Sequence, residues 1–164
     1  MAAHNGVSLH WGGLDKAIAK AGNELGHTQA LMESVGDALV SGTLKRFDAE
    51  EDPQGNKWAP SGRAAEEGGK TLTNRGRLRD SIDRMATSNK VMVGSNLAYA
   101  RIHQEGGIIT PKKAKKLVFT GRGGKKVAVD KVTIPARPYL GVSEEDMDEV
   151  KSVMADFLAG AFKP

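Results

Sequence analysis

One stretch of the sequence has the composition of a phosphate-binding loop. Residues 64–71 read Ala-Ala-Glu-Glu-Gly-Gly-Lys-Thr and end as such loops do, in Gly-Lys-Thr. A phosphate loop needs a buried strand before it, because its backbone N–H groups must converge on one anion. The preceding residues 58–63, Trp-Ala-Pro-Ser-Gly-Arg, cannot form that strand, and Glu66 and Glu67 would repel phosphate. The sequence therefore argues against nucleotide hydrolysis.

The other side chains capable of chemistry also lack the spacing of a catalytic or metal site. The histidines are His4, His10, His27 and His103, and no HxxxH or HExxH pattern joins any two of them. Ser143 lacks the second glycine of a nucleophile elbow, and the acidic run 48–52 is broken by Pro53, unlike a calcium loop. The chain has no cysteine. We therefore expect a non-enzymatic protein with no metal and no cofactor.

The composition is that of one soluble, globular domain spanning residues 1–164. Charged residues make up 27% of the chain and apolar residues 39%. No apolar run approaches the ~18 residues of a membrane span, and the N-terminus lacks the features of a secretory signal. We therefore expect no membrane association, and an origin in the cytoplasm is compatible with the absence of cysteine. Few aromatic residues and 20 glycines predict a modest core with long loops.

Positive charge is concentrated in one part of the chain. Residues 106–137 hold nine basic residues and a single acid, Asp130, for a net charge of +8, whereas the rest of the chain carries −4. Apart from Arg137, the basic residues are Lys112, Lys113, Lys115, Lys116, Arg122, Lys125, Lys126 and Lys131. This asymmetry favours contact with DNA phosphates or with an acidic neighbour, and the alternative is a solvated loop. Only Phe119 lies among the lysines, so base stacking is poorly supported.

Periodicity predicts a long helix over residues 14–51. Apolar residues recur at alternating steps of four and three, and Gly22, Gly26, Gly36 and Gly42 weaken the helix. The helix therefore needs partners along its apolar stripe, supplied either by its own sheet or by neighbouring subunits. A turn at residues 52–55 ends it, and residues 52–75 are predicted to be a surface loop anchored by Trp58.

The remaining pattern predicts a β-rich segment, residues 76–142, followed by a C-terminal helix, residues 143–161. The segment contains a hairpin over 82–94, a short helix over 97–105 capped by Ser95 or Asn96, and a basic hairpin over 108–134. Ser143 begins a capping box, and the helix after it has an apolar stripe formed by Met147, Val150, Met154, Phe157 and Leu158. This order predicts an α+β fold with a long N-terminal helix, antiparallel hairpins and a short middle helix.

Four segments, in order and spacing, resemble the phage virion morphogenesis (tail completion) family of Mu-like and other contractile-tailed phages. They are residues 52–58 (Asp-Pro-Gln-Gly-Asn-Lys-Trp), 76–82 (Gly-Arg-Leu-Arg-Asp-Ser-Ile), 93–107 and 135–141 (Pro-Ala-Arg-Pro-Tyr-Leu-Gly). The resemblance runs from about Leu44 to the C-terminus. The motif positions that carry it are Trp58, Leu78, Arg79, Ser81, Ile82, Tyr99, His103, Gly106, Gly107, Arg137, Pro138 and Tyr139.

The resemblance implies a structural protein of the head–tail junction, assembled in the host cytoplasm and carried in the virion neck. It implies a ring oligomer, a hexamer, whose partners are neck and tail-terminator proteins, with DNA in the channel. The alternative is a small DNA-binding accessory protein that does not read sequence. For the motif residues we expect fold maintenance more than partner contact. Arg79 would pair with a carboxylate, and Arg137 would form a fixed salt bridge or hydrogen-bond anchor.

Overall fold

The structure is a computed structural model that describes residues 5–8, 28–121 and 124–161. Its helices are α1 Thr28–Ala49, α2 Gly62–Glu67, α3 Arg77–Asp80, α4 Ala100–Glu105 and α5 Glu144–Ala161. Its strands are β1 Asn5–Ser8, β2 Ile82–Ala86, β3 Val91–Ser95, β4 Gly107–Ile109, β5 Leu117–Thr120, β6 Lys126–Val129 and β7 Val132–Ile134. The α+β class predicted from the sequence is confirmed.

Helix α1 packs on the sheet and on α5, and two of its glycines mark the contact points. A Cβ atom built on Gly36 would lie 2.4 Å from the Cδ of Arg84, and one on Gly42 would lie 1.7 Å from Asp146 Oδ1. The glycines that lower helix propensity therefore permit close packing against β2 and α5. Residues 14–27 of the predicted helix lie outside the described residues, as do Gly22, Gly26 and His27.

The strands of the described residues form three separate sheets instead of one. The largest has the antiparallel order β1–β3–β2, with Ile82 opposite Ser95 and Ala86 opposite Val91. Strand β1 pairs along the other edge of β3, with Asn5 opposite Ser95. Sequence analysis missed β1, because four residues in an unpatterned terminus carry no alternation. The two further sheets are the pairs β4–β7 and β5–β6.

Helix α5 begins at the predicted capping box. The N–H of Asp146 donates to Ser143 Oγ at 3.0 Å, and the N–H of Ser143 donates back to Asp146 Oδ2 at 2.9 Å. Val150 is buried against the core, but Leu158 is 39% exposed, so the predicted apolar stripe is wrong at Leu158. Asp146 is buried instead, on the face of α5 that packs against α1.

The segment 52–75 is more ordered than the predicted loop. Asp52 Oδ1 accepts hydrogen bonds from the N–H groups of Gln54 and Asn56, which confirms the turn. Helix α2 then occupies Gly62–Glu67 and is capped by Ser61, whose Oγ accepts from Ala64 N at 3.1 Å. A six-residue helix carries too few periodic positions to be recognised in the sequence.

The phosphate-loop pattern does not form a phosphate cradle. Residues 58–61 form no strand, helix α2 occupies the first half of the loop pattern, and Lys70 Nζ lies 3.2 Å from Asp48 Oδ1.

The short middle helix starts later than predicted. It begins at Ala100, because residues 97–99 form a turn in which Ala100 N donates to Leu97 O. Before the helix, Ser95 Oγ accepts from Leu97 N.

Candidate functional site

An aromatic cluster fixes the segment 137–141 to the end of α1. The Phe47 ring lies 5.6 Å from that of Trp58 and 5.0 Å from that of Tyr139, measured between centroids. Trp58 Nε1 donates to Pro138 O at 3.0 Å, and the Tyr139 hydroxyl donates to Ala100 O at 3.0 Å. Burial raises the pKa of Tyr139. Trp58 therefore lies in the core, at the position expected of an anchor.

Arg46 ties the same segment to α5. Its guanidinium donates to Tyr139 O at 2.9 Å, to Gly141 O at 3.1 Å and to Asp146 Oδ2 at 2.6 Å. Arg46 and Asp146 are both buried, with side chains 5% and 3% exposed. A buried ion pair is tolerated only where its remaining donors and acceptors are satisfied, and the backbone carbonyls complete that set here.

Gln104 holds the backbone of the same segment from the side of α4. Its Oε1 accepts from Tyr139 N at 3.0 Å and from Leu140 N at 2.9 Å, and its Nε2 donates to Leu140 O at 3.0 Å. An amide side chain is suited to this position because it is both donor and acceptor. Segment 137–141 is therefore fixed from three directions.

Arg137 is a hydrogen-bond anchor and has no carboxylate partner within the described part of the chain. Its Nε donates to Ala59 O at 2.7 Å and its Nη2 to Pro60 O at 3.3 Å. Its backbone N–H donates to His103 O at 2.8 Å. Burial lowers the pKa of Arg137. Of the two expectations from the sequence, the structure shows the hydrogen-bonded one.

Two glycines form the base of a projecting element. Gly106 has φ +70° and Gly107 has φ +149°, and both values are in a region that glycine adopts more readily than other residues. A Cβ atom on Gly106 would lie 2.7 Å from the backbone nitrogen of Ala136. The chain therefore leaves α4 and returns at Ala136 in close contact, with Gly107 opposite Ile134 in the β4–β7 pair.

Residues 108–134 form the basic arm, the predicted basic hairpin in two successive strand pairs. Among the described elements, its strands make their extensive contacts only with each other. Its described lysines are exposed: Lys112, Lys113, Lys115, Lys116, Lys125, Lys126 and Lys131. Arg122 lies outside the described residues. The single acid, Asp130, lies 3.5 Å from Lys116 Nζ.

Apolar side chains are exposed beside these lysines. Val118 is 65% exposed, Ile108 59% and Phe119 44%. Most other large apolar side chains of the described residues belong to the core or pack against it. The arm thus combines positive charge with uncovered apolar surface, which is typical of an interaction element.

The other motif positions lie in or beside the core. Leu78 and Ile82 are buried, and Ser81 Oγ lies 2.7 Å from Ser95 Oγ. Arg79 Nη2 lies 3.3 Å from Asp48 Oδ2, which is the carboxylate pairing expected for Arg79.

Tyr99 and His103 form an edge-to-face pair with centroids 6.0 Å apart, and Tyr99 is 40% exposed. Burial, and secondarily the charge of Arg137, lower the pKa of His103.

Sequence reasoning missed Arg46, Asp146 and Gln104 as organising residues. Arg46 falls on the apolar face of α1, where a charged residue breaks the periodic pattern, and Asp146 fills the third position of a capping box. These two positions were the signals in the sequence that could have identified Arg46 and Asp146.

The described residues contain neither a metal-binding cluster nor a membrane-spanning helix. No three His, Asp or Glu side chains there are grouped to hold a metal ion. None of the helices described is both long and apolar enough to cross a bilayer.

Comparison with known proteins decides the family. A sequence model of the phage virion morphogenesis family matches residues 9–159. The chain belongs to this family. It is 28% identical over 144 residues to "Mu-like prophage FluMu G protein 2" of Haemophilus influenzae, covering 88% of each chain. It is also 28% identical over 160 residues to "Putative capsid assembly protein G" of Escherichia phage Mu, covering 90% of this chain and 92% of the relative.

No solved structure matches the chain. The family confirms the resemblance found in the sequence and assigns the chain to phage virion assembly. It points to a structural role in a virion-associated protein rather than to catalysis.

Proposed function

We propose that this protein is a structural component of the head–tail junction and assembles as a closed ring, a hexamer, that finishes the tail or joins it to the head. Membership of the virion morphogenesis family supports the assembly role. The basic arm is the observation that carries the proposal, because it projects from a fixed base and exposes both lysines and apolar side chains.

The apolar surface of the arm favours a protein partner. An isolated two-stranded hairpin is marginally stable in water, and covering Val118 and Phe119 would add to its stability. A neighbouring subunit is a suitable partner, because contacts between two different surfaces of identical chains generate rings when the rotation closes.

The start of α5 supplies a complementary surface on each copy. Glu144, Glu145, Asp148 and Glu149 are exposed there, opposite in charge to the arm. Lys45 pairs with Glu145 and Lys151 with Asp148, so Glu144 and Glu149 are the carboxylates of this turn without an ion pair among the described residues. An arm from the next subunit would meet an acidic surface with local charge complementarity.

DNA in the channel is the other partner that the arm supports. Seven exposed lysines can neutralise phosphates without reading sequence. In a ring, lysines that face the lumen would contact the genome passing through. The same contacts would serve a DNA-binding accessory protein that does not form a ring.

The location is tested in the parent phage by an early stop codon in this gene, with electron microscopy of the lysate. Separate DNA-filled heads and free tails are expected, and ragged or overlong tails would place the protein at the tail terminus. Normal joined particles would refute the junction role.

The role of the arm is tested by Lys125→Glu together with Lys126→Glu, with Lys90→Glu and Arg101→Glu as a control of equal charge change outside both the arm and the acidic start of α5. Light scattering and duplex binding are measured on the full chain. We expect the arm variant alone to lose the oligomer. Loss of duplex binding with the oligomer intact would assign the arm to DNA.

A further inference from the structure

A second positively charged surface lies away from the basic arm. It is a cleft of about 350 Å³ between the start of α2, residues 72–78, and α4. Four arginines line it: Arg63, Arg75, Arg77 and Arg137. No aspartate or glutamate of the described residues is among its lining. We call it the arginine cleft.

The charges of these arginines are not neutralised by neighbouring carboxylates within the described residues. Arg63 donates to Gly68 O and Lys70 O, and Arg137 donates to Ala59 O and Pro60 O, which are uncharged acceptors. Such hydrogen bonds orient a guanidinium group but do not neutralise its charge. Asp80, which approaches Gly76, lines a different cleft.

Arg75 and Arg77 make no hydrogen bond or ion pair with any described residue. Both are exposed at the mouth of the cleft. They flank Gly76, whose φ of +73° opens α3. Both side chains therefore line the same cleft with all of their donors available.

An unpartnered polar atom also lies beside the cleft. His103 lines it, and its Nδ1 is buried without a hydrogen-bond partner among the described residues. A buried nitrogen without a partner costs free energy. The cleft thus combines uncompensated cations with an unsatisfied polar group.

The lining also has an apolar side. Leu72 and Leu78 contribute to it, and the Tyr99 ring stands 40% exposed near His103. A DNA backbone presents phosphates on a convex rod and offers nothing apolar for such a wall. A peptide with carboxylates beside an apolar side chain matches both parts.

We propose that the arginine cleft binds an acidic segment of another protein, with its carboxylates on Arg75 and Arg77 and an apolar side chain against Leu72 and Tyr99. Arginine suits this task because its planar fork pairs with a carboxylate through two hydrogen bonds. The site is separate from the basic arm and does not depend on ring formation.

Binding is measured by fluorescence anisotropy with a labelled peptide, Glu-Glu-Leu-Glu-Glu-Leu-Glu-Glu, on the full chain. The test variant is Arg75→Ser with Arg77→Ser, whose side chains support no described contact. The matched control is Lys90→Ser with Arg101→Ser, which removes the same charge from exposed positions outside both the cleft and the arm. We expect the cleft variant to raise the Kd at least about tenfold and the control to raise it less than about twofold.

A second readout comes from the histidine itself. Nuclear magnetic resonance follows the titration of the His103 ring, assigned by its disappearance in His103→Gln. A bound anion beside the imidazole should raise its titration midpoint, whereas the other histidines should not respond.

Equal losses in the two variants would show that the peptide senses only overall charge and would overturn the proposal. So would an unlabelled DNA duplex that competes for the cleft with higher affinity than the peptide, which would make it a phosphate site. An unchanged His103 titration at saturating peptide would also overturn it.

Discussion

At the scale of single residues, a few buried polar groups organise the structure around segment 137–141. Arg46, Gln104 and Arg137 donate mainly to backbone carbonyls, so they define where a loop lies rather than adding to the apolar core. Buried polar groups with all partners present restrict the chain to one arrangement, because any shift leaves a donor or acceptor unpaired.

Replacing Arg46 should destabilise the protein strongly. In Arg46→Met the carboxylate of Asp146 stays buried without its cation, and carbonyls of Tyr139 and Gly141 lose a donor. We expect a loss of ~3–5 kcal/mol in the free energy of unfolding, measured by urea denaturation.

Arg101→Met is the control for Arg46→Met, because the pair of Arg101 with Glu105 is exposed and contributes little. An Arg46→Met protein as stable as this control would show that the buried pair contributes no net stability.

The half-buried imidazole of His103 should make stability depend on pH. Its pKa in the folded protein lies below the ordinary 6.5, because burial and the nearby Arg137 disfavour its charged form. The unfolded chain therefore binds a proton more readily, and stability should fall as the pH drops from 6.5 through the lowered folded pKa.

His103→Gln should weaken this pH dependence, as measured by thermal unfolding across the pH range. The remaining histidines are common to both proteins, so the difference between their curves isolates His103. Parallel curves for the two proteins would contradict the burial of this ring.

At the scale of elements, glycines determine how closely helices and strands approach. Gly36 and Gly42 allow α1 to contact β2 and α5, and Gly106 allows the base of the arm to close on Ala136. At each position a Cβ atom would lie too close to a neighbouring group. The approach of the two elements therefore requires a residue without a side chain.

Gly106→Ala should destabilise the protein more than Gly55→Ala. Both glycines have positive φ, which costs an alanine ~1–2 kcal/mol, but only Gly106 faces backbone atoms, at 2.7 Å, while Gly55 faces open space. We expect a further loss of ~1–3 kcal/mol for Gly106→Ala, measured by urea denaturation. Equal losses in the two variants would mean that the base of the arm is not closely packed.

At the scale of the whole molecule, the described residues divide into a packed body and an arm. The body joins α1, α5 and the sheet β1–β3–β2 around one core, whereas the arm strands contact mainly each other. Stability and interaction are therefore carried by different parts of the chain.

Shortening the arm should leave the body folded. Residues 110–131 replaced by a Gly-Asn-Gly turn would retain the β4–β7 pair at the base. We expect a melting temperature near that of the intact protein and loss of oligomer formation, measured by circular dichroism and light scattering. A large loss of stability would show that the arm belongs to the core, and an unchanged oligomer would remove the arm from the subunit contact.

The amino-acid sequence was enough to predict the α+β class, the turn at 52–55, the hairpin of β2 and β3, the capping box at Ser143 and the basic segment. These features depend on local periodicity, turn residues and charge, which neighbours along the chain fix. The four spaced segments also placed the chain in its family.

Local patterns do not predict the pairing of β1, the division into three sheets or the network around Arg46 and Gln104. Each depends on contacts between residues far apart in the chain, and Arg46 and Asp146 are 100 positions apart. The arginine cleft arises in the same way. Its residues come from four separate segments, and only folding brings their charges to one surface.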